Sequence, residues 1–160
     1  MGLNKQSIEG GCTCRELRYR VNRAPMFVHC CHCRWCQRET GSSYAVNALL
    51  EADAVTLVRG AAEIVDTPSN SGQVQRISRC PDCRIAVWSN YGGATDAVRF
   101  LRVGSLDNPD IYTPDIHIFT ASKQPWVTLG DRIPSVPEYY RRADHWPEAS
   151  IERYNTALGK

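Results

Sequence analysis

The sequence has no apolar stretch approaching the roughly 20 residues that a membrane-spanning helix needs. It also lacks an excess of charge of one sign. Nineteen Lys and Arg stand against seventeen Asp and Glu, leaving +2, with no basic tail or Lys/Arg stripe. That balance argues against a general nucleic-acid binder and against a protein held on a membrane surface. Residues 1–11 are polar, without the apolar segment of a signal peptide, so a cytoplasmic protein is expected. There is no Gly-x-Gly-x-x-Gly or P-loop motif and no serine-centred nucleophile elbow, so neither nucleotide nor flavin is expected. Internal repeats, low-complexity tracts and linkers are missing too. With 160 residues, 42% hydrophobic and 22% charged, the chain is expected to form a single domain able to bury its own core.

Against these absences stand eight cysteines: Cys12, Cys14, Cys30, Cys31, Cys33, Cys36, Cys80 and Cys83. In a reducing compartment, clustered cysteines point to metal binding or thiol chemistry rather than to a disulfide framework. Zinc suits them, since it takes tetrahedral thiolate coordination. Cys12 and Cys14 pair naturally with Cys80 and Cys83 as a four-ligand structural site that ties the start of the domain to its middle. Cys31, Cys33 and Cys36 then remain as three close ligands with an open fourth position, the pattern of a catalytic zinc. Cys30 or His32 completes that set, or Cys30 is a small buried hydrophobe and His32, between two ligands, points away from the metal they share.

Strand patterns dominate the rest. Leu17, Tyr19 and Val21 alternate with Arg18, Arg20 and Asn22. Further strands are expected at 26–29, 44–50, 55–59, 61–66, 72–79, 85–89, 98–103 and 115–120, with Gly60 as a turn between 55–59 and 61–66. A strand into Cys80, a Cys-x-x-Cys turn and a returning strand from Cys83 make a zinc-ribbon hairpin. Helix is expected only over Trp35–Thr40, stopped by Gly41, and near the C-terminus, where Ile151, Tyr154 and Leu158 fall at i, i+3 and i+7. The fold class is mainly β: several small coiled antiparallel sheets around a zinc-ribbon element, with a short C-terminal helix. Residues 131–160 form an irregular and helical tail.

Three motifs resemble the glutathione-dependent formaldehyde-activating enzyme family, which also contains centromere protein V. They are Gly11-Cys12-Thr13-Cys14, Cys31-His32-Cys33-Arg34-Trp35-Cys36-Gln37-Arg38 with Gly41-Ser42, and Cys80-Pro81-Asp82-Cys83. Arg102-Val103-Gly104-Ser105-Leu106, the segment 114–119 and Pro125-Trp126 fit as well, so the likeness spans about 10–130. It implies a structural zinc on Cys12, Cys14, Cys80 and Cys83 and a second, catalytic zinc on Cys31, Cys33 and Cys36. The family activity it implies is that of a carbon–sulfur lyase, which joins formaldehyde and glutathione into S-(hydroxymethyl)glutathione. The sequence departs from the family in one respect. Glycine commonly follows the second cysteine of each structural pair, and here Arg15 and Arg84 stand there, although arginine disfavours positive φ.

The implied partners are small molecules, a thiol such as glutathione and an aldehyde. A zinc-bound thiol loses its proton near neutral pH, which favours thiol addition over water activation at a three-thiolate site. Gln37, Arg38 and Ser42 are candidates for contacting an anionic substrate. His117 is a candidate base, or a hydrogen-bonded structural histidine. Arg15, Arg79 and Arg84 offset the charge of the four-thiolate site or point into solvent. Trp88 and Trp126 are expected in the core or the wall of a pocket. A zinc-stabilised binding module without catalysis is the other function class.

Overall fold

A computed structural model describes residues 8–160. Ten strands follow in chain order: β1 (Ile8–Gly11), β2 (Arg18–Val21), β3 (Phe27–Cys31), β4 (Ala45–Glu51), β5 (Val55–Arg59), β6 (Glu63–Pro68), β7 (Val74–Arg79), β8 (Ala86–Tyr91), β9 (Val98–Arg102) and β10 (Ile116–Ile118). Two α-helices join them, α1 (Arg34–Thr40) and α2 (Glu148–Ala157). The class is mainly β with a short C-terminal helix, as the sequence indicates. The strands gather into two sheets: β1-β2-β5, and a seven-stranded sheet in the order β10-β3-β4-β9-β8-β7-β6. All pairs are antiparallel except β10 with β3, which run parallel.

β1 escapes a reading by periodicity because Ile8-Glu9-Gly10-Gly11 offers no run of alternating apolar residues. β3 continues through Cys30 and Cys31, beyond the expected end at His29. Gly60 does turn the chain, at φ +70°, but it does not close a hairpin. β5 pairs with β2 in the small sheet and β6 pairs with β7 in the large one, so Gly60 is the crossing point between sheets. A Cβ at Gly60 would lie 2.1 Å from the carbonyl oxygen of Glu16, so only glycine fits.

The central strands β3, β4 and β9 are covered on both faces. On one face Val28, Ala48, Leu50 and Leu101 pack with Leu17, Tyr19 and Trp88. On the other, Phe27, Cys31, Ala45 and Leu49 pack with Cys33, Cys36, Trp146 and Tyr154. The register Cys31↔Ala45, Cys30↔Val46, His29↔Asn47 and Asn47↔Arg102 carries this division across the sheet. The 131–160 segment is no loose appendage. Trp146 stacks on Phe27 with ring centroids 5.1 Å apart, and Arg153 pairs with Glu51 at 2.7 Å.

Two substitutions test the backbone reading. Gly60→Ala should destabilise the fold by about 2 kcal/mol or more, from left-handed strain plus the clash with Glu16. Arg15 and Arg84 both hold positive φ, +67° and +64°. Arg15→Gly should therefore stabilise by about 0.5–1 kcal/mol, the strain relieved less the entropy of a freer unfolded chain. Urea unfolding of the two variants against the parent measures both.

Candidate functional site

Two tight turns bring four thiols together. In the first, the Cys12 N–H donates to the Leu17 carbonyl and the Arg15 N–H to the Cys12 carbonyl. In the second, the Cys80 N–H donates to the Ile85 carbonyl and the Arg84 N–H to the Cys80 carbonyl. Each turn closes on the residue with positive φ, so both arginines adopt the conformation that glycine would. The Cys12 and Cys14 sulfurs lie 3.4 Å apart, and Cys14 lies 3.6 Å from Cys80. All four ligand atoms, Cys83 included, are within 4.8 Å of one another. These spacings approach the roughly 3.8 Å between sulfurs around a tetrahedral ion with 2.3 Å bonds. The donor set therefore fits a metal ion. Backbone N–H groups of Cys14 and Ile85 draw the Cys83 thiol down to about 6. Burial opposes ionisation of Cys12, but hydrogen bonds from the Leu17 N–H and neighbouring thiols outweigh it and lower that group as well.

Two of the three arginines near this cluster are paired with carboxylates. Arg84 pairs with Glu63, and Arg79 pairs with Glu39 while also donating to the Arg84 carbonyl at 3.1 Å. Glu39 belongs to α1, so Arg79 ties the ribbon hairpin to the helix that carries the second cysteine group.

That group forms where β3 meets α1. Cys31 ends the strand, Cys33 caps the helix and Cys36 lies in its first turn; their sulfurs are within 4.8 Å of one another and all three residues are buried. The Cys33 sulfur accepts the Cys36 N–H at 3.3 Å. The Cys33 thiol is pulled down to about 3 by hydrogen bonds from the Cys31 and Cys36 thiols, reinforced by N–H groups of Cys36 and Trp35. Cys31, which donates to both neighbours, is pushed far up, and Cys36 rises to about 12.

A buried arginine stands beside these thiols. Arg102 is 8% exposed and donates to Asn47 Oδ1 at 2.7 Å and Ser89 Oγ at 3.3 Å, both neutral. Among the described residues no carboxylate forms an ion pair with it. A buried guanidinium needs a counter-charge, and its positive field acts on Cys36. Three thiolates and a divalent ion sum to −1, which Arg102 brings to zero.

The three cysteines open onto a cavity of about 590 Å³, a size suited to a small organic ligand. Its wall includes His29, Trp35, Asn47, Gln73, Tyr139 and Arg142. Arg142 donates to the Tyr154 hydroxyl at 2.9 Å, and its Nε is buried without a partner. The His29 Nε2 is 2.6 Å from the Tyr140 hydroxyl, which also accepts the Trp146 indole N–H at 2.7 Å. With Trp146 donating to it, the Tyr140 hydroxyl still has its own proton to give, and the direction of its bond to His29 follows the His29 tautomer. Burial, with the Arg142 charge nearby, draws His29 down to about 3.

The candidates for substrate contact lie elsewhere. Gln37 is buried with its amide fully used: it donates to the His32 carbonyl at 2.7 Å and the Ser122 carbonyl at 3.0 Å. It clamps α1 rather than facing the cavity. Arg38 and Ser42 are exposed and do not line the cavity: Arg38 is on the outer face of α1, and Ser42 follows the Gly41 cap beyond the helix. His117 lies on the opposite face of the β3–β10 pair, 3.0 Å from His32. Trp126 is 71% exposed and belongs to no wall, whereas Trp88 is buried edge-on to Tyr19. Arg142, Tyr139, Tyr154 and Lys160 come from the C-terminal segment, where no local motif distinguishes them.

A family model for the glutathione-dependent formaldehyde-activating enzyme matches residues 7–122. The chain belongs to that family. No curated protein matches the sequence. Among solved structures, the crystal structure of a Rhodobacter sphaeroides protein is similar, with a TM-score of 0.50 at 19% identity over 66% of this chain and 96% of that one. At that identity the likeness concerns the fold. The family match ends before residue 131, so the family member's cavity is partly walled by a segment outside the matched region.

Arg102→Gln removes the charge and leaves an amide. In the metal-free protein it should raise the apparent pKa of the cysteine cluster by about 1 or more, read by ultraviolet thiolate titration. His29 contributes a pH dependence of known sign. Its folded pKa lies below the unfolded 6.5, so the unfolded chain binds more protons. Stability is full above pH 6.5 and falls as the pH drops toward about 3. Urea unfolding of the metal-free protein should show that slope, and His29→Gln should flatten it.

Proposed function

We propose that the protein is a zinc-dependent carbon–sulfur lyase acting on the adduct of an aldehyde with glutathione or a similar thiol. The observation that carries this reading is the three-thiol group on the wall of a cavity, with buried Arg102 as its counter-charge. Family membership supports glutathione and formaldehyde as the partner classes. In this reading Cys31, Cys33 and Cys36 hold the second zinc, and Cys12, Cys14, Cys80 and Cys83 hold a structural one. The whole of 1–160 acts as one domain, with 131–160 closing the cavity. The eight free cysteines suit a reducing, cytoplasmic setting.

Zinc held by the three cysteines supplies a coordination position at which a substrate thiol is kept as thiolate. The chain's own residues do the rest. Cys33, as the strongest acceptor of its group, keeps negative charge at the cavity wall, and the positive charge of Arg102 acts on the neighbouring Cys36. Arg142, a charged residue of the cavity wall, receives a substrate carboxylate and fixes the thiol's approach. Phe100, Ile118 and Phe119 line the same cavity and exclude water from the reacting centre. Addition forms one S–C bond, turns the C=O into C–OH and takes up one proton at oxygen. The reverse breaks the same bond, and no electrons leave the pair of reactants.

Formaldehyde and glutathione also combine unaided, so exchange kinetics at low glutathione are the measurement. The intact protein should exceed the background rate and Cys33→Ser should fall to it. Arg142→Gln should raise KM by about 10- to 100-fold, the loss of a charged hydrogen bond, with kcat little changed. Equal rates for the intact protein and Cys33→Ser would leave a zinc-stabilised binding module as the better reading. Metal removal should be ordered: a chelator takes the three-cysteine ion before the four-cysteine one. Cys80→Ser should lose one equivalent of zinc and much of the thermal stability, because the ion's binding energy is folding energy.

A further inference from the structure

We propose that Cys30, His32 and His117 form a third metal site, for a thiophilic ion of the zinc class, on the face of β3 opposite the cavity. Cys30 and His32 are two residues apart along an extended segment and so share a face. Cys31 and Cys33 take the other. His117 is the register partner of Cys30 on the parallel strand β10, which puts it on the same face. All three potential ligand atoms lie within 4.8 Å of one another. Cys30 and His32 are 2% and 0% exposed, and His117 is partly exposed.

The distances are those of ligands around a common centre. The Cys30 sulfur is 3.6 Å from His32 Nε2, and His32 Nε2 is 3.0 Å from His117 Nδ1. Around a tetrahedral zinc, with bonds of about 2.3 Å to sulfur and 2.0–2.1 Å to nitrogen, the matching separations are about 3.5 and 3.3 Å. Hydrogen bonding alone leaves the cluster unsatisfied. A single imidazole nitrogen has one proton or one lone pair, yet His32 Nε2 is approached by both the Cys30 thiol and His117. The other ring nitrogen of His32, Nδ1, is buried with no partner at all. An ion satisfies the Cys30 sulfur, His32 Nε2 and His117 Nδ1 together, with the ring proton of His32 left on Nδ1, and water reaches the fourth position from the exposed side of His117.

One thiolate leaves a divalent ion with a net charge of +1, and the positive charge of Lys123 acts on His32. This site is therefore the weakest of the three, behind the four-cysteine and three-cysteine groups.

The test uses the full chain, stripped of metal and kept reduced, titrated with zinc alone and then reloaded with cadmium for metal NMR. Three zinc equivalents are expected, and three cadmium resonances, the most shielded from the one-sulfur, two-nitrogen site. Cys30→Ser and, separately, His117→Gln should each abolish that resonance and lower the stoichiometry from three to two. The partly exposed His117 makes its variant the safer one for folding, checked by circular dichroism. Two equivalents and no one-sulfur resonance in the parent protein would overturn the site and leave a histidine–histidine hydrogen bond only. Persistence of that resonance in folded His117→Gln would overturn the assignment of the ligands.

Discussion

The fold is organised around the need to hold sulfurs close together. Cys14 and Cys80, 66 positions apart, place their sulfurs at 3.6 Å, and no sequence-local force brings them there. The contact joins the turn between β1 and β2 to the β7–β8 hairpin and thereby links the small sheet to the large one. Crowded thiols repel once ionised, so each group shares its charge through hydrogen bonds. Cys83 is lowered by backbone N–H groups and Cys33 by its neighbours' thiols. A cation removes the same repulsion outright, which is why such clusters are natural metal ligands. The strain at Arg15 and Arg84 is a by-product: the turns demand positive φ whichever residue is present.

From that join outward, the two-residue period of the strands assigns functions to faces. β3 presents His29 and Cys31 to the cavity and Cys30 to the opposite side, and the register with β4 and β9 aligns Asn47 and Arg102 with the cavity face. The buried charge of Arg102 links the chemistry of the cysteines to the interior of the large sheet. The ion pair between Arg79 and Glu39 connects the ribbon hairpin to α1, the helix that carries Cys36.

The residues beyond the family match shape what the cavity receives. Trp146 and Tyr154 are part of the apolar cluster that also contains Cys31, Cys33 and Cys36. Tyr139 and Arg142 form cavity wall. Family membership rests on residues 7–122; this C-terminal wall of the cavity lies outside the matched region.

The close pairs Cys12–Cys14 and Cys80–Cys83 and the set Cys31, Cys33 and Cys36 were legible from spacing, because ligands within a few residues constrain one another through local backbone geometry alone. The mainly β class, α1 with its Gly41 stop, and the terminal helix were legible from periodicity for the same reason. The residues of the cavity wall were not. Gln37 and Arg38 stand next to a ligand in sequence, but a helix sends neighbours to different faces, one into backbone hydrogen bonds and one into solvent. Nor was Gly60 legible as a crossing between sheets, since a turn residue looks the same whether its flanking strands pair or part. Sequence by itself determined which atoms are available as ligands and which segments extend or coil, because those properties are local. Tertiary structure alone decided that Arg102, Arg142 and His29 surround the thiols and that Cys30 meets His117, because each depends on strand register and long-range packing that no local pattern encodes.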